Sequence, residues 1–428
     1  MRDLFGHTTV TRFRAQTAKM VILYLLIVGG TSDVANTAQP QRPQSKKLGS
    51  TTRPSNQQRH ATSNVSADGN IAPIRIVEDR YPMFAGVGVD PVNDKAVFGD
   101  DNTRSLLTYD RAVPGDSRRI TEYREKLGGP KTGRISHPCG IAMDPVSKEI
   151  YMVNTDFTDD MLVFSYGQSG NVSALRELSV DHGSSGVSLD RDHNELFMTV
   201  QHLNKIAVYR ATAQGEETTL RFIQGPKTGL VDPHGIFVDN KNDEIVVTNH
   251  HSSHEIETGV LGTTLNFRYM LQSSGRFVEA SITVYSRTAQ GNAVPLRTIQ
   301  GPKTRLDLPL GVAVDAEKDL IAVANDQTNS ILFFSRTAQG NVAPLDAIEG
   351  PATGLKNPGG IYIDLTNNEI WVTNWGDHNA TIYARSARGN VAPLRTIRTA
   401  PQGEPVSGLG GAQGLAWDSR RDEILVPN

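Results

Sequence analysis

The sequence predicts an all-β protein built from seven copies of one four-stranded unit. A Gly-h-x-h-Asp element (h apolar) recurs seven times, ending at Asp90, Asp144, Asp190, Asp239, Asp315, Asp364 and Asp418. The gaps are 54, 46, 49, 76, 49 and 54 residues, so one unit is enlarged by about 27. Each unit holds four short runs rich in Val, Ile, Phe and Tyr, separated by turn residues, which is strand chemistry. Four antiparallel strands repeated every 40–50 residues or so are the pattern of a β-propeller blade. The expectation is therefore a seven-bladed propeller of four-stranded antiparallel blades.

The fifth unit shows the four runs plainly, at Gly311–Val314, Leu320–Ala324, Ile331–Phe334 and Pro344–Ile348. The string SRTAQGN-x-x-PL recurs at Ser286 and Ser335, with variants from Ala384 and Ala211. GPKTG stands at Gly129 and Gly225, GPKTR at Gly301 and GPATG at Gly350. The seventh unit stops at Asn428 after two strands, and Ile71–Val77 (IAPIRIV) matches the missing outer strand. An N-terminal strand is thus expected to close the ring and cover its edge.

Residues 1–38 read as an export signal. Arg2, Arg12, Arg14 and Lys19 precede an apolar run at Met20–Gly30, about half the length that spans a bilayer. A signal anchor is the other reading of that stretch. Residues 39–63 carry almost nothing apolar and read as a disordered linker, with the propeller occupying 64–428. The expected location is secreted or periplasmic, with no membrane contact beyond the signal. A single cysteine excludes an internal disulfide and a CxxC site, and a net charge of −3 with dispersed basic residues argues against a nucleic-acid partner.

The segments Gly140-Ile-Ala-Met-Asp144, Glu149-Ile-Tyr-Met-Val-Asn154 and Met161-Leu-Val-Phe164 resemble the repeats of the NHL β-propeller family. The chain is also distantly similar to the gluconolactonase-like and lyase propellers. The resemblance implies the fold and leaves the activity open, because such propellers include binding platforms, a lyase and relatives of lactonases. The early Glu that binds metal in the gluconolactonase-like propellers has no match near Tyr81–Gly86.

The repeats align with one another, so departures from the pattern can be read directly. The residue before the Gly that opens each inner strand should ring the channel: Ala85, Cys139, Ser185, His234, Leu310, Gly359 and Gln413. Cys139 reads there as a small apolar side chain. Strand two ends in Asn at five of seven units, Asn249 among them, which suits a turn former. The first hairpin turns, such as DPVND and DNKNDE, are too short for calcium loops, and their Asp residues read as turn caps. GPKTG lacks the P-loop spacing and a following helix, so it reads as a turn, with Lys131, Lys227 and Lys303 on the top rim.

Eight histidines fall in loops of the face called the top: His137, His182, His202, His234, His250, His251, His254 and His378. Imidazole is a common metal ligand and a proton donor or acceptor near neutral pH. The metal candidates are His234, His250, His202 and His182, and the ion would be Zn²⁺, Mn²⁺ or Ca²⁺. The ligand-binding candidates are His234, His250, His202, Gln413, Trp375 and Asn249. The enlarged fourth unit adds a loop of roughly residues 255–279 beside them, the position of a lid or specificity element. Three functions stay open: an exported module binding a small ligand or protein on its top face, a lactonase-like metal-dependent hydrolase or lyase, and an envelope scaffold. No catalytic residue is assigned.

Overall fold

The computed structural model describes residues 81–113, 121–133, 135–155, 158–250, 279–398 and 400, and the strands Thr8–Arg14, Ile76–Asp79, Ala416–Asp418 and Glu423–Pro427. Two units are present. The larger holds six four-stranded antiparallel sheets. Blade one runs Phe84–Asp90, Lys95–Asp100, Ser105–Asp110 and Glu125–Gly128 from the centre outward. The inner strands of blades two to six are Pro138–Asp144, Ser184–Asp190, Pro233–Asp239, Pro309–Asp315 and Pro358–Asp364.

The expected count of seven is corrected: the ring has six blades. Inner-strand glycines touch the backbone of the following blade, in a cycle that returns to its start. A Cβ on Gly86 would lie 2.2 Å from the Cys139 carbonyl oxygen, and one on Gly140 would lie 2.2 Å from that of Ser185. Gly186 meets His234, Gly235 meets Leu310, Gly311 meets Gly359, and Gly360 meets Ala85 of blade one. Thr373 of blade six also donates to the Ala85 carbonyl at 2.8 Å. The closing joint is therefore built like the others, between two complete blades, and among the described residues no N-terminal strand enters it.

The seventh repeat lies in the second unit. There Ala416–Asp418 pairs with Glu423–Pro427, which pairs with Thr8–Arg14, and Ile76–Asp79 is the strand at the opposite edge from Ala416–Asp418. The segment expected as an outer strand thus contributes Ile76 and Val77 to this sheet, while residues 71–75 lie outside the described residues. Counting copies of a motif does not reveal which copies the ring admits. That depends on the twist and tilt between blades.

The core is divided among the joints. Six apolar clusters each draw on two neighbouring blades, including Phe84, Phe98 and Tyr109 of blade one against Trp371 and Ile382 of blade six. The second strands are sandwiched between neighbours, so they read as near-continuous apolar runs such as Leu320-Ile-Ala-Val-Ala324.

Both repeated strings act at the joints. In GPKTG the third residue's N–H is bound by the Asn of the next blade's QGN string. Lys227 N donates to Asn292 Oδ1 at 2.8 Å and Lys303 N to Asn341 Oδ1 at 2.8 Å. The turn's own Thr donates back to its first Gly, as Thr228 does to the Gly225 carbonyl at 2.8 Å. The Arg of SRTAQGN reaches an acidic residue of the preceding blade, as in Arg336–Glu244 at 2.8 Å.

Candidate functional site

Every inner strand of the ring shifts register after its first residue, as between Pro233 and Ile236 against Asn249 and Val247. A bulge takes a residue out of the ladder and re-aims its side chain. Here the displaced position is the predicted ring position. Ala85, Cys139, Ser185, His234, Leu310 and Gly359 all line one central cavity of about 270 Å³. His137, Gln201 and Trp375 complete its polar wall. Gln413 lies outside the described residues.

Blade four brings two of the predicted histidines onto one carboxylate. Asp232 is 2% exposed and holds a left-handed backbone (φ 49°), with its N–H bound by Asn204 Oδ1 at 2.7 Å. Its Oδ1 lies 3.4 Å from His234 Nε2 and its Oδ2 lies 3.5 Å from His250 Nδ1. The imidazole centroids are 4.5 Å apart. His250 is fixed by its backbone too, since its N–H donates to the Asp232 carbonyl at 3.0 Å. Gln201 contacts His234 Nδ1 at 3.3 Å, which leaves Nε2 facing the carboxylate.

Among the described residues, Asp232, His234 and His250 form the group able to hold a metal ion, with one donor atom each within 4.8 Å of the others. Separations of 3.4–3.5 Å are long for a hydrogen bond. They suit two donors placed about 2.0–2.1 Å from one tetrahedral ion. Burial lowers the pKa of His250, and the neighbouring His234 adds to this against the opposing pull of Asp232. A neutral imidazole is the form that binds metal.

His202 and His182 lie elsewhere, as a pair with centroids 5.0 Å apart, His182 bonded to Asp159 at 2.8 Å. The four metal candidates therefore separate into two pairs, of which one has a shared carboxylate. Trp375 lines the cavity as expected, 6.1 Å from His137. Asn249 is buried and used within its own blade, accepting from Val231 N at 3.0 Å and donating to Thr283 at 3.0 Å. His378 contacts the Pro82 carbonyl at 2.7 Å. His251, His254 and the expected lid lie outside the described residues.

Asp232 was absent from the expected site, as was Asp326 of blade five, whose field acts on His250 and whose own pKa is raised by burial. The repeats contained a signal for Asp232. Two residues before each ring position stand Met83, His137, Gly183, Asp232, Leu308 and Asn357. Asp232 is the one carboxylate among them.

No protein-family model matches the chain, and no curated protein sequence does. Among solved structures it is similar to Kuenenia stuttgartiensis hydrazine synthase, at 13% identity over 73% of this chain and 81% of that one, with a TM-score of 0.48. It is also similar to a chain of a nidogen/laminin complex, at 15% identity over 74% and 93%, with a TM-score of 0.43. At these identities the likeness is one of fold alone. Among the described residues no helix is long and apolar enough to cross a membrane.

Proposed function

We propose that this chain is an exported NHL-type propeller that binds a small oxygen-bearing ligand at its top mouth through one divalent metal ion. The Asp232–His234–His250 group carries the reading, because it offers three donors at metal-ligand spacing beside a cavity that would admit a small molecule. Three protein donors leave coordination positions for water and substrate, as in catalytic sites, whereas structural sites are closed by four. Two imidazoles and a carboxylate favour Zn²⁺ or Mn²⁺ over Ca²⁺, which takes oxygen ligands.

An ion held this way would polarise a carbonyl or supply a metal-bound hydroxide, so hydrolysis or elimination on a lactone-like or ester-like substrate is the reaction it supports best. Gln201 would orient His234, as outer partners of metal-binding histidines do. The export reading rests on the basic and apolar run within residues 1–38.

The test is metal content of the purified full-length chain by mass spectrometry, beside His234→Ala and His202→Ala. About one equivalent in the wild type and in His202→Ala, lost in His234→Ala, is the expected result. A wild type that takes up no metal after incubation with Zn²⁺ or Mn²⁺ would overturn the reading.

A further inference from the structure

The wall of the cavity formed by blade two carries a second constellation that shares no residue with the metal group. His137 stands two residues before its ring position, where blade four has Asp232. Its Nδ1 meets Oδ1 of Asp101, a blade-one carboxylate that is 5% exposed and whose Oδ2 is buried with no hydrogen-bond partner. Cys139 and His137 line the same cavity. The bulge keeps the two residues together, with Cys139 N donating to the His137 carbonyl at 3.0 Å.

Cys139 belongs to none of the six apolar clusters among the described residues. It is partly exposed and lines the cavity beside His137. A thiol next to an imidazole that a carboxylate orients is the arrangement of nucleophilic cysteine sites.

We propose that Cys139, His137 and Asp101 form an activated-thiol site that accepts acyl groups from small esters or thioesters entering the cavity. Asp101 holds the imidazole through Nδ1, and His137 takes the thiol proton. The thiolate attacks the carbonyl carbon, a bond forms between Sγ and that carbon, and the bond from carbon to the leaving alkoxide or thiolate breaks. His137 returns the proton to the leaving group, and Cys139 is left as a thioester that water can hydrolyse. Burial opposes a charged His137, but the fields of the Cys139 thiolate and the Asp101 carboxylate outweigh it and hold the imidazole pKa well above its ordinary value.

Cys139 is the one cysteine of the chain, so intact-mass spectrometry reports on it alone. The full chain is treated with iodoacetamide at about pH 6.5, where an ordinary thiol carries little thiolate. Alkylation at least about tenfold faster in the wild type than in His137→Gln is the expected result, with Asp101→Asn between them. Thermal unfolding is followed on each variant, and Asp101→Asn serves alone should His137→Gln not fold. Equal rates in wild type and a folded variant would overturn the proposal. With p-nitrophenyl acetate, a single acetyl adduct, or p-nitrophenolate release, that is lost in Cys139→Ala supports acyl transfer, and a wild type that shows no adduct and releases p-nitrophenolate no faster than Cys139→Ala refutes it. Neither readout uses Asp232, His234 or His250, so the result stands whether or not metal is bound there.

Discussion

Arg111 of the first blade donates from Nη1 to Oε2 of Glu369 in the sixth at 3.2 Å, joining residues 258 apart in sequence. The same guanidinium lies 3.9 Å from Asp364 and 3.3 Å from Asp94. Equivalent contacts span three of the five other joints, Arg287–Glu195 at 3.1 Å, Arg336–Glu244 at 2.8 Å and Arg385–Asp315 at 2.5 Å. A side chain taken from the SRTAQGN repeat is thus matched on blade one by an Arg outside any copy of that string.

Removing Arg111 leaves Glu369 and Asp364 half-compensated in a buried setting. Arg111→Ala is expected to cost about 3 kcal/mol in urea-induced unfolding. Arg210→Ala, whose partner Glu217 is at 3.3 Å on the surface, is expected to cost at most about 1 kcal/mol. Similar losses for the two would show that the joint draws nothing from its ion pairs.

The inner glycines give a second contrast. On Gly186 a Cβ would lie 2.2 Å from the His234 carbonyl oxygen, which is backbone and cannot swing away. Gly186→Ala is expected to lower the melting temperature severely or prevent folding. Gly167→Ala meets nothing within 4 Å and carries only the strain of φ 79°, about 1–2 kcal/mol. A well-folded Gly186→Ala with an unchanged melting point would show that the blades can spread.

Metal affinity should grade with distance from the donors. Gln201→Ala is expected to weaken Zn²⁺ binding about 10–100-fold in competition with a fluorescent chelator. Asp232→Asn removes a donor and should weaken it further, while His202→Ala should leave it unchanged. A His202→Ala loss equal to that of Asp232→Asn would move the site to the other histidine pair.

Asp160 gives a pH signature. Burial raises its carboxyl pKa to about 6, against the hydrogen bond it accepts from Asn154. The folded chain therefore keeps a proton there that the unfolded chain, at an ordinary value of 3.8, has released. This contribution to stability is complete below the unfolded value and is lost as pH rises through about 6. Relative to wild type, Asp160→Asn should gain in melting temperature between about pH 4 and pH 7. A difference that stays flat over that range would refute the assignment.

Much of this molecule is legible in its sequence because each blade repeats the same local chemistry. The ring position was readable at Cys139 and His234, since a bulge at one place in every inner strand aims the same residue inward. The turn roles of GPKTG and of the hairpin aspartates follow from local hydrogen bonding, as in Asp239 accepting from Lys241 N and Asn242 N. The blade count was not readable, because the motif ending at Asp418 is identical in kind to the six that enter the ring. Nor was the separation of His202 from His234, since loop residues of neighbouring blades meet only through the curvature of the ring. Asp232 was hidden for another reason: an Asp before Pro reads as a turn residue until its neighbours in space are known.

The closing joint also bears on how the ring assembles. Arg287 and Arg336 each reach a partner 92 residues away, whereas Arg111 and Glu369 must find each other across 258. Closure entropy rises only with the logarithm of loop length, so the longer loop costs about 1 kcal/mol more. Long-range pairing slows folding far more than it weakens the product. Blades one and six should accordingly be the last to acquire protection against amide hydrogen exchange during refolding, each presenting an unsatisfied apolar flank until then. That interval, with Trp371 and Phe98 uncovered on opposite sides of the gap, is when the chain is most open to capture by another copy of itself.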